Sequence, residues 1–242
     1  MLFIRVSFTN MTDEYYKAIN LDIGVPMEKP QRIKFNRFIF EKCFRPQMKK
    51  CEENGRIITL TDKDKKHLED FVTKKAAAKT KEWGGFDNQQ RSKREMTGAS
   101  IEYGLLKFYG KQDKFDDSIV DKSSKKNYPD LVPLGVLADV KGSSINNVPL
   151  VFKKTRPYVV LTGKHKGKEF KCVNVIGITD HEKVWLLGIA SQNVLEKYSD
   201  TNLIMIAENT TKTGFYGALK LLELPKTWID FKKLCLEKST PV

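Results

Sequence analysis

The stretch from residue 127 to 144, "NYPDLVPLGVLADVKGSS", sets two acids and a lysine into an otherwise apolar segment. An unpaired ionised group in apolar surroundings is costly, so Asp130, Asp139 and Lys141 need partners that the fold must supply or attract. A strand places every second side chain on the same face. Over "GVLADVK" that puts Val136, Ala138 and Val140 on one face and Leu137, Asp139 and Lys141 on the other. Asp139 and Lys141 are then neighbours pointing into the same space. Pro133 and Gly135 predict a turn or bulge just upstream, which folds "YPDL" back beside the strand and brings Asp130 near Asp139. Two converging carboxylates repel unless a cation lies between them. A divalent ion there can also polarise a phosphate and generate hydroxide from water.

A third acid lies upstream, in the helix predicted over "SIEYGLLKFYGK". At about 100° per residue, Ile101, Leu105, Leu106, Phe108 and Tyr109 form one continuous apolar arc, and Glu102 falls inside it. An acid on a buried face needs a partner, and a metal or the lysine of the strand would serve. Glu102 also suits the first turn of a helix, where an acid meets the dipole favourably.

Composition narrows the classes. The 242 residues can form one large domain, or one domain with a substantial extension. No apolar run approaches the roughly 18 residues of a membrane span, and "MLFIRVSFTNMTDEYY" lacks the apolar core and cleavage site of a secretory signal. A cytosolic protein with no membrane partner is expected. The formal net charge of +13 favours polyanionic partners, nucleic acid first and acidic membrane second. Residues 141–171 carry eight basic side chains against the single acid Glu169, a net +7 directly after the acidic motif. The four cysteines contain no CxxC pair and the three histidines no HxxxH, so neither a zinc site nor a disulfide framework is indicated. They read as core thiols and surface imidazoles. Any metal must then be held by carboxylates, which points to magnesium or manganese. No GxxxxGK[ST] loop and no GxSxG occurs, which leaves ATP-driven enzymes and serine hydrolases without support.

Along the chain, "LFIRVSF" reads as a strand and "RFIFEKCFRPQMKKCEENG" as a basic helical stretch that Pro46 breaks or begins. "TDKDKKHLEDFVTKKAAAKTKE" reads as a helix capped by Thr61, with Asp64 three residues on and Leu68, Phe71, Val72 and Ala76 as its apolar stripe. Residues 83–100, "WGGFDNQQRSKREMTGAS", read as a polar loop or hinge in which Arg91, Lys93 and Arg94 can approach a nucleic-acid backbone. Strands are expected at "GVLADVK", "YVVL", "FKCVNVIGI", "KVWLLGIA" and "NLIMIA", and helices at "SQNVLEKYS" and "TWIDFKKLCLEK". "GKHKGK" marks a turn between two strands. The expected fold is α/β (α+β): a central mixed β-sheet flanked by helices. A partly helical basic region, 1–95, for gripping DNA or dimerising, precedes a core at 96–242.

The combination Pro129-Asp130, Asp139-Val140-Lys141 and an upstream helical Glu102 resembles the PD-(D/E)xK nuclease superfamily, the restriction-endonuclease-like and phage recombination nucleases. The resemblance covers roughly residues 98–190 and implies a restriction-endonuclease-like core. It implies Mg2+, or Mn2+, held by Asp130, Asp139 and the main-chain carbonyl of Val140. Glu102 would complete the site as a metal or water ligand. Lys141 would hold or deprotonate the attacking water, or stabilise charge on the phosphate. The implied activity is a metal-dependent deoxyribonuclease, an endonuclease before an exonuclease, in a prokaryotic or phage-infected cell, with a homodimer giving one site per strand. Arg91, Arg94, Lys153, Lys154, Arg156, Lys164, Lys166 and Lys168 are the candidate DNA-phosphate contacts.

Structural roles fit the same residues: Asp130 and Asp139 as turn caps, Lys141 as an ion-pair partner, the lysines as a solvated hairpin. The alternatives in function are a non-catalytic DNA-binding protein, a repair or recombination nuclease that recognises ends or junctions, and an RNA nuclease.

Overall fold

The computed structural model describes residues 41, 44–79, 88–116, 129–145, 157–159, 166–193 and 221–242. "LFIRVSF", "NLIMIA", most of "SQNVLEKYS", and Lys153, Lys154, Arg156 and Lys164 lie outside the described residues.

Helix α1 (Arg45–Glu53) opens with Pro46 in its first turn, where a missing N–H breaks no hydrogen bond. Pro46 therefore begins this element. Strand β1 (Ile57–Thr59) follows, then α2 (Asp62–Lys79) and α3 (Asn88–Phe108). Short 3-10 turns at Gln112–Lys114 and Val132–Leu134 precede β2 (Ala138–Ser144), β3 (Pro157–Val159), β4 (Glu169–Lys171), β5 (Val173–Thr179) and β6 (Lys183–Ala190). Helix α4 (Trp228–Lys238) and β7 (Thr240–Pro241) end the described chain.

The four-stranded sheet has the order β1-β6-β5-β2 and is mixed: β2 runs parallel to β5, and the other pairs are antiparallel. A smaller antiparallel sheet, β3-β4-β7, stands beside it. The fold is thus α+β around a mixed sheet, as the alternating strand and helix patterns predict.

Helices cover both faces of the sheet. On one face, Ile101 of α3 lies over Gly142 and Gly177, which are paired in the β2–β5 register. A Cβ on Gly142 would fall 2.7 Å from the Gly177 carbonyl oxygen as well as on the Ile101 side chain. Both positions are bare so that the helix can come close. On the other face α1 is pinned to β6: the Cys51 thiol donates to the Leu186 carbonyl (3.2 Å) and the Trp185 indole N–H to Glu52 (3.0 Å).

Helix α2 starts with a reciprocal cap. The Asp64 N–H donates to Thr61 Oγ1 (3.3 Å), and the Thr61 N–H to Asp64 Oδ2 (2.8 Å). Asp64 also accepts from Tyr103 (2.6 Å) and Lys107 (2.5 Å) of α3, which joins the two helices. Burial alone would raise the Asp64 pKa, but these donors outweigh it and hold the carboxyl well below the usual range. Leu68 and Val72 are buried in the main core, as the stripe predicts.

Three expectations change. Residues 88–100 are the first turns of α3 rather than a loop. Gln, Arg, Lys, Glu and Met are good helix formers, and their polarity is that of a partly solvated helix. Second, the boundary at 95/96 falls inside α3, and β1 belongs to the central sheet, so residues on both sides of it share one core. Third, β2 begins later than its apolar run and extends through Gly142, Ser143 and Ser144, where parallel pairing to β5 carries it on.

Gly142→Ala is expected to lower stability by about 2 kcal/mol, because the new methyl has no room between Ile101 and the β5 backbone. The shift in urea midpoint at constant m-value measures it.

Candidate functional site

Asp139 and Lys141 leave β2 on the face opposite α3, since Gly142 faces Ile101 and side chains alternate. Their charged ends meet, Lys141 Nζ lying 2.5 Å from Asp139 Oδ2.

Asp130 arrives by the turn that Pro133 and Gly135 predict. Residues 132–134 form a 3-10 turn closed by Gly135 at φ 72°, a left-handed conformation that suits glycine. The returning segment lies along the outer edge of β2. The Leu131 N–H donates to the Ala138 carbonyl (3.2 Å), the Val140 N–H to Asp130 Oδ2 (3.0 Å), and the Asp130 N–H to Asp139 Oδ1 (3.3 Å). Since β2 is an edge strand and Val140 donates outward, its carbonyl leaves on that same outer edge, beside Asp130. Two carboxylates and a main-chain carbonyl thus border one edge of the sheet, an all-oxygen set that fits a hard divalent cation.

The electrostatics agree with that fit. Asp139 is only 8% exposed. Its carboxyl is pushed up to about 7, first by burial and then by the charge of Asp130, with Lys141 pulling the other way. One lysine does not neutralise two acids in this setting, and a further positive charge would. The nearby Cys172 thiol is pushed up to about 12 by burial and then by Asp139. It stays protonated at neutral pH and offers no thiolate to a metal.

Glu102 is buried on α3, the helix that covers the other face of the sheet. Among the described residues no three His, Cys, Asp or Glu side chains converge as a metal centre. Of the candidate phosphate contacts, Lys166 and Lys168 are exposed at the turn leading into β4, beside Gly167 at φ 84°. β3 and β4 pair antiparallel, and residues 163–165 of "GKHKGK" lie outside the described residues. Arg91 and Arg94 lie in the first turns of α3, and their side chains are outside the described set.

Two residues near the site carry no motif. Asn174 of β5 lies opposite Asp139 in the parallel register, and Ser239, just past α4, accepts from the Val173 N–H (3.4 Å) and shares its one proton between the carbonyls of Cys235 (2.7 Å) and Leu137 (3.1 Å). Ser239 therefore ties together the starts of β2 and β5. A polar residue at the centre of "KCVNVIGI" is the only sequence signal for Asn174, and Ser239 has none.

Compared with known proteins, the chain matches no family model, no curated protein and no solved structure at a significant level.

An acid whose folded-state pKa lies above its ordinary 3.8 binds its proton more tightly when folded. Its contribution to stability is therefore greatest below pH 4 and falls as pH rises through 7. Asp139→Asn, which cannot ionise, is expected to exceed the metal-free wild type in stability by about 2 kcal/mol at pH 8 and to lose that advantage toward pH 4. Urea midpoints across that range measure it.

Proposed function

We propose that this chain is a Mg2+-dependent deoxyribonuclease of the PD-(D/E)xK type, with a restriction-endonuclease-like core, cutting phosphodiester bonds within DNA. The observation that supports it most is the cluster at the edge of β2: Asp130 and Asp139 bridged through the backbone, and Lys141 on Asp139. Asp130, Asp139 and the Val140 carbonyl would hold the ion. When bound, Mg2+ supplies hydroxide at neutral pH and charge for the phosphate oxygens. Lys141 is 37% exposed at its side chain, so its ammonium can face both the acid and a phosphate at the surface. In that position it orients the attacking water and meets the negative charge that develops on the phosphate. Lys166 and Lys168 would contact backbone phosphates, which position DNA without reading its sequence.

The rival reading is a DNA-binding protein with structural acids. It draws on the fact that, among the described residues, two carboxylates converge rather than three and one already has a lysine.

Digestion of supercoiled and linear DNA with and without Mg2+ separates the two. The nuclease reading expects metal-dependent nicking or linearisation, reduced at least about 100-fold in Asp139→Ala and Lys141→Ala while DNA binding persists. No cutting of any DNA by the wild type, together with undiminished binding by both variants, would leave the binding protein.

A further inference from the structure

Asn174 has no explanation in the packing of the sheet. It is 1% exposed, and neither its Nδ2 nor its Oδ1 has a hydrogen-bond partner among the described residues. Its strand neighbours Val173, Val175 and Ile176 are fully buried apolar side chains, and a leucine would fill the position without burying two unmatched polar atoms. An amide in this condition has its partner elsewhere.

Its location says which partner. Asn174 is paired with Asp139 in the β2–β5 register, so the two side chains leave adjacent strands on the same face. On its other side the register partner is Ala190 of β6, whose methyl offers no hydrogen bond. Lys141, two residues along β2 from Asp139, is the diagonal neighbour of Asn174 on that face. Diagonal partners are about 7–8 Å apart at the backbone, within the reach of a long side chain.

The ion pair at the site poses a conflict that this arrangement resolves. Lys141 Nζ sits on Asp139 Oδ2. A divalent cation held by that carboxylate would repel the ammonium from it. We propose that Asn174 is a positioning residue for Lys141. Its Oδ1 accepts the ammonium when the Asp139 carboxylate turns to a divalent cation, and this keeps the lysine inside the site. The inference rests on the metal-dependent reading above and adds a residue to it.

The test compares wild type with Asn174→Leu, which keeps the volume and removes both polar atoms, and Asn174→Asp, which keeps an acceptor oxygen. Mg2+ binding to the DNA-free protein is read by calorimetry, and DNA cleavage by steady-state kinetics. With the Asn174 oxygen removed, the lysine is held less well away from Asp139 and competes with the ion. Asn174→Leu is therefore expected to bind Mg2+ at least about tenfold more weakly and to lose at least about tenfold in kcat with little change in KM for DNA. Asn174→Asp is expected to bind Mg2+ at least as well as wild type. A purely structural Asn174 predicts the opposite for the leucine variant: a higher unfolding midpoint, and unchanged Mg2+ binding and kcat. That result would overturn the inference and leave the nuclease reading intact. Wild-type protein that neither binds Mg2+ nor cuts DNA would remove the nuclease reading and this inference with it. Should Asn174→Leu fail to fold, Asn174→Ser, smaller and with its hydroxyl short of Lys141, is read against the same outcomes.

Discussion

The parallel register between β2 and β5 is the constraint on which the other features depend. It sets Gly142 beside Gly177 on one face and Asp139 beside Asn174 on the other. The glycine pair lets α3 approach closely enough for Ile101 to cover both strands, which seals the apolar side of the sheet. A one-residue slip would turn every side chain of β2 to the opposite face. Asp139 and Lys141 would then enter the core under α3 and Val140 would face the site. Ser239 lies beside the starts of both strands, accepting from the Val173 N–H and sharing its proton between the carbonyls of Cys235 and Leu137.

The charge cluster is destabilising in isolation. Burial and the nearness of Asp130 raise the Asp139 pKa in spite of the lysine, and Asn174 adds unmatched polar atoms one strand away. The rest of the fold offsets this with ordinary means. An apolar core surrounds Ile101, Leu105 and Leu106, and α1 is pinned to β6 by Cys51 and Trp185. The Asp64 cluster offers an instructive contrast, since it too joins a carboxylate to a lysine, with a tyrosine hydroxyl added. There both carboxylate oxygens accept hydrogen bonds within the protein and the acid is held ionised, which is how a satisfied structural network behaves. At Asp139 the balance is left open.

Parts of this were legible in the residue order because they are set by local geometry. The alternation in "GVLADVK" is enough to make Asp139 and Lys141 neighbours, and Pro133 with Gly135 is enough to return Asp130 to them. The cap at Thr61 and Asp64 and the strand "KVWLLGIA" follow from equally short-range rules. Where the reading missed, the cause was local in one case and long-range in the other. The polar run at 88–100 is helical although its composition resembles a loop, and β2 continues through Gly142 because a parallel partner and an approaching helix favour it there.

The sequence by itself determined the charge excess, the turn, the strand phase and hence the meeting of two acids and a lysine, since the last three depend on the one continuous stretch of residues 130–141. Only the tertiary structure decided that the helix carrying Glu102 covers the face of β2 opposite Asp139, and that Asn174, 35 residues from Asp139, becomes its neighbour. Strand order and register are fixed by packing between segments distant in the chain, and no local periodicity encodes which strand lies next to which.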